Sequence, residues 1–226
     1  MNRSEINQII FGAKEFLNEK QFFLPPWAHW GIEEWQANKD KAGEVINNML
    51  GWDITDFGSG DFHKRGLFLF TIRNGRYRVD NKPYAEKIMI VEENQETPMH
   101  YHWAKMEDII NRGGGNLVIE LYMATPDNQL DPEKPVVVKV DGILQEITPG
   151  GKVVLTPGES ICLEQGMFHR FYGKPGKGKV LVGEVSAVND DTSDNCFHEP
   201  IGRFPDIIED EPPIHLLVSD YKKFLG

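Results

Sequence analysis

The chain has 226 residues, 40% of them hydrophobic and 26% charged, an ordinary globular composition long enough to bury a sizeable core. Its formal net charge of −11 argues against sequence-independent nucleic-acid binding, which depends on cationic contacts to phosphate. Two cysteines, Cys162 and Cys196, supply neither a disulfide framework nor a Cys-rich zinc motif, and two buried free thiols are expected.

The first residues, Met1 to Gln8, are polar and mixed in charge. No apolar stretch approaches the ~18–20 residues that span a bilayer, so a soluble, cytoplasmic protein is the default expectation. Ser4 is placed to cap a helix running to about Lys20, with Ile6, Ile9, Ile10, Ala13, Phe16 and Leu17 on one stripe. Pro25-Pro26 ends that segment. Glu33 to Leu50 reads as a second helix, with Gly51 as its stop signal.

From Gly66 the period changes. Leu67–Arg73 is a strand run, and Asn74-Gly75 has the form of a hairpin turn. Short apolar runs then recur at Ala85–Glu92, Gly115–Ala124, Val136–Val140, Gly142–Ile147, Lys152–Leu155, Ser160–Glu164, His169–Tyr172 and Lys179–Ser186. Turn residues separate them, among them Asp141-Gly142, Pro149-Gly150-Gly151 and Gly173 to Lys179. This spacing predicts an all-β sandwich or barrel. The division expected is one domain over 1–226: a helical extension over 1–65, a β-barrel over 66–188, and a C-terminal segment over 189–226 packed on the barrel.

His100 and His102 stand two apart, so on a strand both imidazoles face one way while Met99 and Tyr101 face the other. Glu107 follows, the cluster Gly113-Gly114-Gly115 closes that segment, and Gly166-Met-Phe-His169 brings a third imidazole from a separate strand. Four N/O donors of this kind suit a divalent first-row metal, and manganese, iron, cobalt, nickel and zinc all remain open.

The order of these parts resembles the cupin superfamily, a double-stranded β-helix or jelly-roll barrel. Its first motif corresponds here to His100, His102, Glu107 and Gly114. Its second reads Glu164-Gln-Gly166-Met-Phe-His169, with glutamate where proline is usual, which loosens a turn and removes no ligand. More closely, the chain resembles the D-lyxose isomerases. The shared stretches are Phe23 to Trp30, Gly51 to Gly58, Ala104 to Gly115, Gly183 to Asp191 and Gly202 to Pro205. The resemblance implies a divalent metal, usually Mn2+, held by His100, His102, Glu107 and His169. It also implies aldose–ketose interconversion, D-lyxose to D-xylulose first and D-mannose to D-fructose beside it, in a protein expected to be a homodimer.

That chemistry needs an electrophile at the carbonyl and groups that shuttle protons. Lys105 lies between the ligands and could donate to a developing enediolate oxygen; its plainer reading is a surface lysine on a strand end. Glu184 sits in the apolar run Val180–Val185, where a carboxylate is costly without a partner. Facing the barrel interior it is a candidate general base, and facing outward it is a solvated or paired carboxylate; period alone leaves both open. Asp190, Asp191 and Glu199 are further candidates for proton transfer or hydroxyl binding, or else members of a solvated acidic loop. Arg170, next to His169, should face away from it. Trp27, Trp30, Trp52 and Phe171 could line a sugar site but are core by default. His29, His63, His198 and His215 lack a partner spacing. Two rivals follow from the same ligand set: a non-haem Fe(II) dioxygenase and a non-catalytic sugar-binding cupin.

Overall fold

Alternating apolar positions build two antiparallel sheets that pack face to face as a jelly-roll barrel. The computed structural model describes residues 1–188, 190, 193–202 and 206–226. Three helices come first: α1 (Arg3–Glu19), α2 (Ile32–Asn38) and α3 (Gly43–Asn47). The strands are β1 (Gly51–Thr55), β2 (Leu67–Arg73), β3 (Tyr84–Val91), β4 (His100–His102), β5 (Glu107–Gly114), β6 (Leu117–Met123) and β7 (Val136–Val140). They continue as β8 (Ile143–Ile147), β9 (Lys152–Leu155), β10 (Ser160–Leu163), β11 (Met167–Gly173), β12 (Val180–Ala187) and β13 (Asn195–Phe197), and a short helix α4 (Tyr221–Leu225) ends the chain. One sheet runs β1-β2-β3-β12-β5-β10-β7-β8 and the other β13-β4-β11-β6-β9.

The space between the sheets is filled at one end by Leu69, Met89, Ile109, Leu117, Ile119, Leu121 and Val182, all buried. The outer face of β2, β3 and β12 carries Phe68, Phe70, Ile88, Ile90 and Leu181, and α1 covers it with Ile6, Ile10, Ala13 and Leu17. These strands are therefore buried on both faces, which is why they read as continuous apolar runs. Each Ile or Phe fully removed from water there contributes about 1.5–3 kcal/mol.

Several expected elements differ. The predicted helix over Glu33–Leu50 is two short helices, because the polar run Asn38 to Lys41 has no apolar side to bury and turns instead. Gly51 does not simply stop a helix; it opens β1, the edge strand paired with β2. The β2–β3 connection is a loop from 74 to 83, longer than an Asn-Gly turn, although β2 and β3 do pair as a hairpin. Strand β5 does not read as an apolar run because two of its buried, inward positions are polar, Glu107 and Asn111. Cys162 and Cys196 are free, as expected, but only half-buried.

Ser4 does not cap α1. Asn2 is the cap residue, and Ser4 lies inside the first turn, where its N–H and hydroxyl donate to the Asp210 carboxylate at 3.0 and 2.6 Å. The helix start is thus capped from the far end of the chain. Arg3 completes that link. It is fully buried and donates twice to Asp220, both at 2.8 Å, and twice to Glu209 at 2.8 and 2.9 Å. Burial works against its charge, but the bonds to Glu209 and Asp220 outweigh it and raise its pKa.

Arg3→Met should therefore cost about 3–5 kcal/mol, because buried Asp220 would keep its charge without its cation. For a chain of this length that is a fall in Tm of roughly 6–20 °C. The Arg3 bonds also hold Glu209 at about 2, against burial, so its stabilisation is present above its ordinary pKa and lost as pH falls toward 2. Acid unfolding of Arg3→Met should be less steep across that window. A variant melting within about 2 °C of wild type would show that the pair is not a structural tie.

Candidate active site

The site lies between the sheets, at the end that the apolar core leaves polar. On β4 the alternation sends His100 and His102 inward and Tyr101 the other way, where its hydroxyl donates to Asn128 at 2.7 Å. Gly166, at φ 71°, turns the chain from β10 into β11 and brings in His169, which pairs in register with His100. The ligating nitrogens of His100, His102 and His169 lie within 4.8 Å of one another.

The neighbouring carbonyls fix two of the rings. His100 Nδ1–H donates to Pro98 O at 2.8 Å and His169 Nδ1–H to Met167 O at 3.0 Å, so each Nε2 is left with its lone pair. Glu107 reaches in from β5 of the opposite sheet. Its Oε1 lies 3.3 Å from His102 Nε2 and 3.1 Å from His169 Nε2.

These residues fit a divalent cation. His169 Nε2 is buried with no hydrogen-bond partner among the described residues, a costly state unless a metal takes the lone pair. Spacings of 3.1 and 3.3 Å are those of adjacent corners of a shell with bonds of roughly 2.0–2.3 Å. Burial first, then the neighbouring imidazoles, hold His100 well below its ordinary pKa; burial and then Lys105 lower His102. Burial alone would raise Glu107, but the Lys105 ammonium and His102 hold it well below the usual carboxylate range. Neutral His100 and His102 and an ionised carboxylate are the protonation states that ligation requires.

Beside this cluster stands a buried chain of charges. Lys105 Nζ lies 2.6 Å from Glu107 Oε2 and 2.9 Å from Glu184 Oε1. Lys87 of β3, directly opposite Glu184 in register, approaches the same oxygen at 3.5 Å, and the Ser186 hydroxyl donates to it at 3.1 Å. Lys87, Lys105, Glu107 and Glu184 are each no more than 4% exposed. Glu184 faces inward because Leu181, on the other face of β12, lies under α1. Lys105 is not a surface lysine. The cavity these groups line has a volume of about 60 Å³.

Asp190 and Glu199 do not line this cavity. Asp190 is exposed and accepts from the Ser193 hydroxyl at 2.6 Å, holding its own turn. Glu199 is exposed and accepts from Arg65 at 3.2 Å. Asp191 lies outside the described residues. Arg170 turns away from His169 to pair with Glu120 at 3.0 Å and Glu96 at 3.3 Å. Trp27 and Trp52 belong to the core under α1, while Phe171 does reach the cavity wall. His215 is tied up between Trp30 O and Lys14 Nζ, each at 3.0 Å, and His63 rests on Glu92 at the surface.

Sequence reasoning missed Lys87, Asp194, Phe57 and Phe197. Lys87 had a signal: it alternates with Met89 and Val91 on the inner face of an apolar run. Asp194 had none. Its carboxylate accepts the N–H groups of Ala104 and Lys105 at 2.7 and 3.0 Å and lies 4.0 Å from His102 Nδ1, fixing the turn between the ligands. Among the described residues no helix is long and apolar enough to cross a membrane.

The family model for D-lyxose isomerase matches residues 1–221. A D-lyxose/D-mannose isomerase from Serratia proteamaculans is 48% identical, each chain covered in full. One of the same description from Escherichia coli O157:H7 is 46% identical over 99% of this chain and 100% of its own. Among solved structures, L-ribose isomerase from Cellulomonas parahominis superposes with a TM-score of 0.60 at 13% identity, covering 92% of this chain and 98% of its own; this is a likeness of fold.

Proposed function

This chain belongs to the D-lyxose isomerase family, and from that premise we propose that it is a metal-dependent ketol-isomerase interconverting D-lyxose with D-xylulose and D-mannose with D-fructose. The observation that supports it most is the buried Glu184–Lys105 pair, 2.9 Å apart, lining the same cavity as His100, His102, Glu107 and His169. A divalent ion held by those four side chains, proposed as Mn2+, would supply Lewis acidity at the sugar carbonyl. The assembly is proposed to be a homodimer, following the fold class.

The rest falls to the chain's own residues. In the open-chain aldose, Glu184 takes the proton from C2, the C2–H electrons become the C1–C2 double bond and the carbonyl pair moves onto O1, giving an enediolate. The same carboxylic acid then returns the proton to C1 while the proton on O2 passes to O1 and the O2–H pair becomes the C2 carbonyl, leaving the ketose. Lys105 donates to the oxygen on which negative charge grows, and its ammonium is already fixed between two carboxylates, so little reorganisation is needed. Lys87 holds the opposite side of Glu184 and keeps the carboxylate aimed into the cavity. D-lyxose and D-mannose share their configuration at C2 and C3, so one placement of the reacting end serves both.

The direct test strips the protein with a chelator and reloads it anaerobically with manganese, iron, cobalt, nickel or zinc before presenting a panel of aldoses. Ketose should appear from D-lyxose and D-mannose, be greatest with manganese and vanish on chelation. No ketose from either sugar with any of the ions would overturn the proposal. Oxygen uptake by the iron form would point to dioxygenase chemistry instead.

A further inference from the structure

Phe57 is buried at 7% exposure, yet it belongs to none of the apolar clusters that form the core. Its backbone sits at φ 52°, a left-handed region where a bulky side chain is an outlier. Such strain persists only where the surroundings hold it, and it gathers at functional sites. Here the surroundings are built for that purpose. Thr55, fully buried, accepts the Phe57 N–H on its hydroxyl at 2.9 Å, and the buried Asp56 carboxylate accepts Gly58 N–H at 3.0 Å and Gly60 N–H at 3.2 Å. Two buried polar side chains thus fix a strained turn whose product is the aim of one aromatic ring.

The ring is aimed at the cavity. Phe57 meets Phe197 edge-on, centroids 6.4 Å apart, and Phe197 lies tilted against His100 at 5.5 Å. Phe197 is also the register partner of His100 across β13 and β4. Phe57 follows β1, an edge of the larger sheet, and Phe197 ends β13, an edge of the smaller one, so their contact bridges the two sheet edges. Both rings line the cavity that holds Glu184, Lys105 and Lys87. The site therefore has a charged side and an aromatic side. A sugar has matching halves: hydroxyls that bond to charged groups, and C–H groups that pack on aromatic rings.

We propose that Phe197 and Phe57 form the wall against which the sugar carbon chain packs, and that Phe57 sets how long a chain the site accepts. The proposal rests on the isomerase function above. The reacting C1–C2 end belongs beside the ligand cluster, which Phe197 touches. Phe57 stands one ring farther out and meets the distal carbons. A hexose carries one more hydroxymethylene unit than a pentose past that point, so the Phe57 ring favours D-lyxose over D-mannose.

The test compares Phe57→Gly and Phe57→Ala with wild type, all loaded with manganese, by kcat and KM for both sugars, metal content and Tm. Glycine adopts φ above zero without strain, so Phe57→Gly should melt higher than Phe57→Ala while sharing its substrate preference. Metal content should be unchanged. The ratio of kcat/KM for D-mannose to that for D-lyxose should rise roughly five-fold or more, mainly through a lower KM for D-mannose. A ratio within about two-fold of wild type in both variants, whatever the common loss of activity, would reduce Phe57 to a structural plug and overturn the proposal. A wild type that converts neither sugar refutes the function and this inference together. A wild type that converts both, with variants of unmoved ratio, refutes the inference alone.

Discussion

Alanine in place of His169 should leave a folded protein that has lost most of its metal and turns over at least roughly 1,000-fold more slowly. Lewis-acid stabilisation of several kcal/mol is at stake, and each ~1.4 kcal/mol is a factor of ten. The ring is buried, its Nε2 has no other partner among the described residues, and its Nδ1 is already committed to Met167 O. His100→Ala and His102→Ala should behave alike. Glu107→Ala should be worse, because it also removes the carboxylate 2.6 Å from Lys105 and frees that ammonium to move. Elemental analysis after purification, beside steady-state rates, separates metal loss from loss of chemistry. Full metal content and full turnover in His169→Ala would mean that the ion, if any, is held elsewhere.

Glu184→Gln should abolish conversion while metal content and sugar binding persist. The amide keeps the shape of the side chain, and its carbonyl oxygen can still accept from Lys105, Lys87 and Ser186, but it cannot take the C2 proton. The substitution removes one negative charge between two buried ammonium groups, so Tm should be measured alongside rate. Lys105→Met should lower kcat by roughly 100-fold or more with metal still bound. Because the two side chains touch, the double variant should lose much less than the product of the single losses. In D2O the wild-type reaction should place deuterium at C1 of the ketose, and at C2 of the aldose when run in reverse, since a carboxylic acid can exchange its proton during the life of an enediol. An active Glu184→Gln enzyme would sink the assignment of the base.

Much of the site was legible before any fold was known. Period-two alternation alone puts His100 and His102 on one face, and β4 does so. Asp141 and Gly142, at φ 50° and 78°, turn β7 into β8 as that dipeptide predicts. Longer-range features were not legible. The two short helices that replace the one expected over Glu33–Leu50 are set by packing partners, Leu216, Val218 and Tyr221, that come from the other end of the chain and take up Trp35, Ala42, Val45 and Ile46. Helix α1 is capped by Asp210 rather than Ser4 for the same reason.

The side chain that decides the chemistry shows the division most clearly. Sequence alone determined that Glu184 shares a face with Val182 and Ser186, that three imidazoles and a carboxylate could converge, and that a lysine stood between the ligands. It did not determine which face of β12 is inward, because both faces are apolar. Only the tertiary structure decides that, by laying α1 over Leu181 and turning Glu184 toward Lys87 and Lys105. Periodicity encodes which residues travel together along a strand; which side they travel on depends on what else the chain brings to cover the other.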